Sequence, residues 1–127
     1  MILAYLPEPQ QHPLWNEIRK LIESATDEGV NPLDPDELVW IAFEGTTLFG
    51  VATTVLLTNG EAQVLTCSGF EHRRWIGEAE RLVTLWARDC GARKITMRGR
   101  MGWARYFRAF GWDCSRDGEL WAFEKVL

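Results

Sequence analysis

The segment from residue 61 to residue 98 limits the possible folds more than any other part of the chain. Residues 61–68 (EAQVLTCS) have the composition of a strand, and residues 92–98 (ARKITMR) alternate apolar with polar side chains. Between them, apolar residues recur at helical intervals and predict a helix over 77–90: Ala79, Leu82, Val83, Trp86 and Cys90. Gly91 is well placed to end this helix. Because a helical connection between neighbouring strands makes them parallel, a parallel crossover is predicted here.

A meander of strands leads into this crossover. Residues 38–44 (LVWIAFE) and 48–57 (LFGVATTVLL) are rich in β-branched and aromatic residues, and EGTT separates them as a turn. The Asn-Gly pair in TNGE (58–61) predicts a hairpin turn into the strand at 61–68. The sheet is therefore expected to be antiparallel before the crossover and parallel across it.

The remaining segments complete one domain over residues 1–127. We predict a strand at 2–6, a helix at 14–26 ended by Gly29, a loop at 31–37, a short helix at 102–110 ended by Gly111, and a closing strand at 119–127. The predicted order is β-α-β-β-β-α-β-α-β. It indicates an α/β (α+β) fold, in which a mixed sheet carries helices on both faces.

The charge is distributed unevenly along the chain, whose net charge is −4. Residues 1–71 hold 2 basic and 11 acidic residues, or −9. Residues 72–108 hold 10 basic and 3 acidic residues, or +7, and residues 109–127 hold 2 and 4, or −2. This asymmetry has two interpretations of equal weight. The central segment binds an anionic ligand, or its arginines pair with the acidic first half.

Several classes of protein are disfavoured by composition. No apolar run reaches the ~18–20 residues that cross a bilayer, and MILAYLPEPQQHP lacks the basic start of a signal peptide, so we expect a cytoplasmic protein without membrane contact. Cys67, Cys90 and Cys114 lie far apart, which argues against a disulfide framework. His12 and His72 also lie far apart in the chain, and no metal site is expected.

The stretch HRRWIGEAE (72–80) stands at the front of the predicted central helix. The first amides of a helix have no intrahelical partners, and the helix dipole adds partial positive charge there. Gly77 has no Cβ and allows close approach, while Arg73 and Arg74 can donate to phosphate oxygens. These features together predict an anion site suited to a diphosphate.

At this stretch the chain resembles the GNAT superfamily of acetyl-CoA-dependent N-acetyltransferases. RWIGEA (74–79) matches the family signature Gln/Arg-x-x-Gly-x-Gly/Ala. We favour a second register, in which HRRWIGEAER aligns with RGKGIGSALL, so that Trp75 replaces the first glycine and His72 the arginine. AFEGTTLFGVA (42–52) and FRAFGW (107–112) are also similar to family segments, and the resemblance spans about residues 38–126.

The resemblance implies a co-substrate, a reaction and a site. Acetyl-CoA would give its acetyl group to a primary amine on a small molecule or a protein, without a metal. A backbone N–H on the strand 61–68 would polarise the thioester carbonyl. The coenzyme-binding residues implied are Leu65, Thr66, Cys67, Arg73, Arg74, Trp75, Ile76, Gly77, Glu78 and Ala79.

The chain departs from the family pattern after the strand at 92–98. The family's frequent tyrosine, which protonates the departing thiolate, falls on Phe107, so the neighbouring Tyr106 is the candidate acid, with a half-buried packing residue as the alternative. Arg100 stands in place of an asparagine and Trp103 in place of a small residue. Cys67 is interpreted as a small core thiol rather than a nucleophile.

The catalytic base and the acceptor are not identified by any motif. Glu61 and Glu71 flank the strand at 61–68, but surface carboxylates are the commoner interpretation. The segment 1–37, which would supply much of the acceptor pocket, contains no recognisable motif. Family members are often dimers, and a homodimer is therefore one expectation.

Two rival functions stay open. Short, Trp-rich chains of this kind resemble phage or prophage products, so the chain could be a catalytically silent GNAT-fold protein with a structural or interaction role. The segment 93–108 also combines basic and aromatic residues, as single-stranded nucleic-acid binders do. Trp103, Phe107 and Phe110 recur at core spacing, however, which favours a packing role over nucleic-acid binding.

Overall fold

The computed structural model describes residues 1–25 and 36–127. In these residues the chain forms seven β-strands and three α-helices. In chain order they are β1 (Ile2–Leu6), α1 (Trp15–Ser24), β2 (Leu38–Glu44), β3 (Thr47–Leu56), β4 (Glu61–Gly69), α2 (Ile76–Asp89), β5 (Lys94–Gly99), α3 (Ala104–Ala109), β6 (Asp113–Asp117) and β7 (Leu120–Val126). Single 3-10 turns lie at Pro9–Gln11, His72–Arg74 and Met101–Trp103.

All seven described strands belong to one mixed sheet, in the order β1-β2-β3-β4-β5-β7-β6. The pair β4 and β5 is parallel, and the other neighbouring pairs are antiparallel. The predicted meander and parallel crossover are thus confirmed. The central helix spans 76–89, within one residue of its predicted limits, and Gly91 follows it with a φ of +77°.

One strand was missing from the prediction. Residues 113–117 (DCSRD) form β6, which pairs with β7 across a turn at Gly118, where φ is +66°. The segment is polar and weak in β propensity, so its sequence does not indicate a strand. It becomes one because it is an edge strand, and charged side chains are tolerated where one side of the strand faces solvent.

The two smaller helices differ from the prediction at their ends. The segment predicted as a helix at 102–110 starts as the 3-10 turn Met101–Trp103 and becomes helical only in α3. Helix α1 begins and ends inside the predicted range 14–26. Residue 26, Gly29 and most of the loop predicted at 31–37 lie outside the described residues.

Helices cover both faces of the sheet, as predicted. On one face, Ile18 and Ile22 of α1 pack against Val39, Ile41 and Val51. On the other face, α2 and α3 pack over the central and C-terminal strands in a larger core, which includes Val64, Val83, Ile95, Phe107 and Phe123. The two clusters hold the central strands between layers, and the candidate site lies where these strands separate.

Trp75 anchors the segment that connects β4 to α2. Its side chain is only 2% exposed, and its indole N–H donates to the carbonyl of Phe70 at 2.9 Å. The ring lies against Gly50 of β3, where a Cβ would come within 2.3 Å of Trp75 Cζ2. The absence of a side chain at Gly50 therefore lets the indole enter the core and fixes the start of α2 against the sheet.

Candidate active site

The parallel strands β4 and β5 separate before either one ends. Their ladder runs from the pair Glu61 and Lys94 to the pair Val64 and Met97. Beyond it, β4 continues to Gly69 and β5 to Gly99. The next residue of β4, Leu65, is a bulge, because Val64 and Thr66 pair with the adjacent residues Thr54 and Thr53 of β3. A bulge bends its strand, so β4 turns away from β5 where the ladder stops.

The separation leaves a cavity of about 340 Å³, which we call the β4–β5 cleft. Its walls are residues 65–69 of β4, residues 97–99 of β5, Ser24 and Ala25 at the end of α1, His72, and Arg100, Gly102, Trp103, Arg105 and Tyr106 after β5. Basic side chains line the cleft, and among the described residues no aspartate or glutamate does. Arg98, one of the basic residues, is paired with Asp117 at 2.9 Å.

The predicted strand residues form one wall of this cleft. Leu65 is exposed, whereas the Thr66 hydroxyl is buried 2.6 Å from the hydroxyl of Thr53. Burial raises the pKa of the Cys67 thiol to about 12, so this thiol is protonated at neutral pH. A protonated thiol is a weak nucleophile, which supports the interpretation of Cys67 as a core residue.

The opposite wall contains Tyr106. Neighbouring helix residues point about 100° apart, so only one of Tyr106 and Phe107 can face the cleft. Phe107 is buried, with ring centroids 4.9 Å from Trp112 and 5.5 Å from Phe123. Tyr106 lines the cleft instead, and its hydroxyl accepts a hydrogen bond from Arg105 at 3.4 Å.

The front of α2 offers fewer amides than the sequence predicts. The N–H of Trp75 donates to the carbonyl of His72 at 3.1 Å, and that of Ala79 to the carbonyl of Trp75 at 3.0 Å. Within the described chain, the amides of Ile76, Gly77 and Glu78 donate to no backbone carbonyl, and no side chain caps the helix. These three amides are left to bind an anion, and the nearest atoms to a Cβ on Gly77 would be 4.0 Å away.

The two predicted phosphate-binding arginines have different surroundings. Arg74 lies 2.5 Å from Glu44 and 3.6 Å from Glu71, and its guanidinium stacks 4.5 Å from the Phe49 ring. For Arg74, therefore, pairing with the acidic first half is the interpretation that the geometry supports. Both side chains are exposed, but Arg73 forms no ion pair within the described part of the chain.

A second hollow lies beside the cleft and contains Arg73. It measures about 400 Å³, and its lining residues are Glu71, His72, Arg73, Arg74, Arg105 and Tyr106. We call it the basic hollow. Arg105 contributes to it from α3, and sequence reasoning did not identify this residue as a site residue. The packing of α3 against the sheet brings Arg105 to the hollow that Arg73 also lines, and no local sequence pattern indicates that packing.

The two carboxylates considered as bases lie outside the cleft. Glu61 is 3.4 Å from Lys94 at the opposite end of β4, and Glu71 is paired with Arg74 in the lining of the basic hollow. In the described ranges, no three His, Cys, Asp or Glu side chains gather as a metal site would require. The three cysteines are free thiols. None of the helices within residues 1–25 and 36–127 is long and apolar enough to span a bilayer.

Solved structures of GNAT acetyltransferases superpose on nearly the whole chain, and the chain has the GNAT fold. A Bacillus subtilis acetyltransferase in complex with CoA superposes with a TM-score of 0.68 at 12% identity, over 98% of this chain and 97% of that one. A GNAT family acetyltransferase from Elizabethkingia anophelis with acetyl-CoA bound gives 0.69 at 10% identity, over 98% of both chains.

A third similar structure is the PaiA N-acetyltransferase of Thermoplasma acidophilum in complex with coenzyme A. It gives a TM-score of 0.61 at 19% identity, over 72% of this chain and 62% of that one. No protein family model matches the sequence, and no curated protein does. At sequence identities of 10–19%, the structural similarity establishes the fold.

Proposed function

We propose that this protein is an N-acetyltransferase that moves an acetyl group from acetyl-CoA to a primary amine. The observation that carries the proposal is the β4–β5 cleft in a GNAT fold, beside a helix whose first three amides have no hydrogen-bond partner among the described residues. The similar structures from Bacillus subtilis and Elizabethkingia anophelis hold CoA and acetyl-CoA. The described cleft lining, which is basic and lacks carboxylates, suits an anionic coenzyme.

Each part of the coenzyme has a proposed place. The acyl-bearing arm lies along residues 65–67 of β4, beyond the end of the parallel ladder. The diphosphate binds the amides of Ile76, Gly77 and Glu78 together with Arg73, since helix fronts favour anions. A backbone N–H of β4 donates to the thioester oxygen as negative charge develops there, and such a donor typically contributes ~3–4 kcal/mol of transition-state stabilisation.

The reaction forms a C–N bond and breaks the C–S bond of the thioester. The amine attacks as its neutral form and loses one proton, which leaves through water or a group of the acceptor, since no described carboxylate lines the cleft. The departing thiolate takes a proton from a donor in the cleft. We assign that donor to Tyr106, which lines the cleft.

Binding of CoA tests this proposal. A ligand at about 100 times its dissociation constant stabilises the folded state by about 2.7 kcal/mol, so millimolar CoA is expected to raise the melting temperature. Gly77→Val is expected to remove this shift while leaving the protein folded. A Cβ at this position would come no closer than 4.0 Å to the Phe110 ring, and valine has a higher helix propensity than glycine.

The matched control is Leu85→Val, which places the same β-branched residue at an exposed position of α2 far from its front. This variant is expected to keep the full CoA shift. No shift in the unaltered protein would contradict the proposal, and an unchanged shift in Gly77→Val would place the diphosphate elsewhere.

A catalytically silent GNAT-fold interaction protein is the second candidate. The observation in its favour is Trp103, whose indole lies in the cleft with its ring centroid 4.7 Å from that of His72. A protein with this function would bind neither CoA nor acetyl-CoA, so the same melting experiment separates the two candidates.

A further inference from the structure

The β4–β5 cleft and the basic hollow share part of their lining. His72, Arg105 and Tyr106 line both cavities, so these residues form the wall between them. His72 belongs to the 3-10 turn before α2, and the other two belong to α3. The wall therefore joins two elements that are separate in sequence and meet only in the folded chain.

Trp103 closes this wall from the side of the cleft. Its ring centroid lies 4.7 Å from His72 and 6.1 Å from Tyr106, and the His72 and Tyr106 rings are 6.0 Å apart. We call these three side chains the aromatic partition. His72 is held in turn by a hydrogen bond of 2.9 Å between its Nε2 and the carbonyl of Gly69.

The partition lies on the route that the coenzyme must take. In the proposed function the acyl group occupies the cleft, whereas the diphosphate binds the front of α2 together with Arg73, which lines the basic hollow. A donor whose diphosphate contacts Arg73 while its acyl group is in the cleft crosses between His72 and the start of α3. The three rings are in contact with one another there, so the partition has to open before a pantetheine chain can cross it.

We propose that Trp103 is a specificity-determining residue that must swing away from His72 before a diphosphate-bearing acyl donor can bind. This inference rests on the proposed function and adds a selection step to it. A thioester that ends before the diphosphate needs only the cleft, so the closed partition penalises long donors and not short ones. The apparent affinity for a long donor falls in proportion to the fraction of molecules in which the partition is open. That fraction therefore sets the size of the penalty.

The experiment measures dissociation constants for CoA and for S-acetylpantetheine, which lacks the diphosphate, by calorimetry. Trp103→Ala is expected to bind CoA about 10-fold more tightly if the open arrangement makes up about 10% of the unaltered protein. Its affinity for S-acetylpantetheine is expected not to rise, since that ligand stays within the cleft. His72→Ala removes the other half of the contact and is expected to act in the same direction.

Trp86→Ala is the matched control, because Trp86 is also half-buried but packs against Trp40, outside both cavities. It is expected to leave both dissociation constants unchanged. His72→Ala decides the result if Trp103→Ala does not fold. Tighter binding of CoA by a partition variant than by the unaltered protein, without a gain in affinity for S-acetylpantetheine, supports the inference.

If the unaltered protein binds CoA and both partition variants bind it no more tightly, the inference is overturned and the proposed function stands. A parallel gain for CoA and S-acetylpantetheine also overturns it, because Trp103 would then only fill the cleft. Absence of CoA binding in the unaltered protein and in both variants overturns the proposed function, and this inference with it.

Discussion

Trp75 and Gly50 are in direct contact, and the contact connects the start of α2 to β3. The indole occupies the space where any other residue at position 50 would place its Cβ, 2.3 Å from Trp75 Cζ2. The front of α2, whose first three amides have no partner in residues 1–25 and 36–127, follows immediately after Trp75. The position of the candidate anion site therefore depends on the absence of one side chain on a neighbouring strand.

Gly50→Ala is expected to destabilise the protein, because overpacking a filled core typically costs about 1–3 kcal/mol. It should also weaken CoA binding, since the displaced indole shifts the start of α2. Chemical denaturation and calorimetry measure the two effects. Gly102→Ala is the control for stability, because a Cβ there meets nothing within 4 Å. Unchanged stability in Gly50→Ala would show that the indole has another place to go.

Tyr106→Phe is expected to lower kcat by about 10²-fold, the lower limit for loss of a general acid, with little change in CoA affinity. The chain contains 2 tyrosines, so Tyr5→Phe provides the same substitution on β1, away from the cleft. Acetyl transfer is followed by release of free thiol, with a panel of primary amines as acceptors. If Tyr106→Phe has the same kcat as the unaltered protein, Tyr106 has a packing role and does not donate the proton.

The two adjacent arginines are expected to separate binding from folding. Arg73→Ala should weaken CoA binding about 10-fold, because a hydrogen bond to a charged group contributes ~1.5–3 kcal/mol. Arg74→Ala should leave CoA affinity nearly unchanged and lower stability by at most about 1 kcal/mol, since its ion pairs with Glu44 and Glu71 are exposed to solvent. Calorimetry and denaturation on both variants check this, and a reversed pattern would contradict the assignment.

Cys67 is expected to resist alkylation in the folded protein, because its raised pKa of about 12 keeps the thiol protonated at pH 8. The exposed Cys90 serves as the internal control and should react readily with iodoacetamide. Peptide mapping by mass spectrometry measures both rates. Labelling of Cys67 as fast as Cys90 would contradict the burial of its thiol.

The same pKa gives a pH dependence of stability. The Cys67 thiol titrates near its ordinary pKa of 9.0 when unfolded and near 12 when folded, so between these values the folded state binds more protons. The contribution is therefore fully present below pH 9 and is lost as the pH rises toward 12. Cys67→Ala is expected to flatten this part of the stability curve, and an identical slope in the variant would assign the loss to other groups.

Local patterns predicted most of the elements of this fold. Helix α2 matches its predicted limits because its apolar spacing and the glycine after it act within a few residues of the chain. The turn at Asn59 and Gly60 formed for the same reason, with the carbonyl of Leu57 accepting from Gly60 at 3.2 Å. Strand β6 was missed because its pairing depends on β7 and not on its own composition.

The sequence by itself determined the order of the helices and of every strand except β6, the parallel crossover and the placement of a glycine at the front of α2. Each of these follows from side-chain periodicity or from the stereochemistry of a short segment. Only the tertiary structure decided the bulge at Leu65 that opens the cleft, the burial of Trp75 against Gly50, and the contact of His72 with Trp103. These features arise where segments distant in sequence pack against one another. Their geometry is therefore set only when the whole sheet and both helical layers pack together.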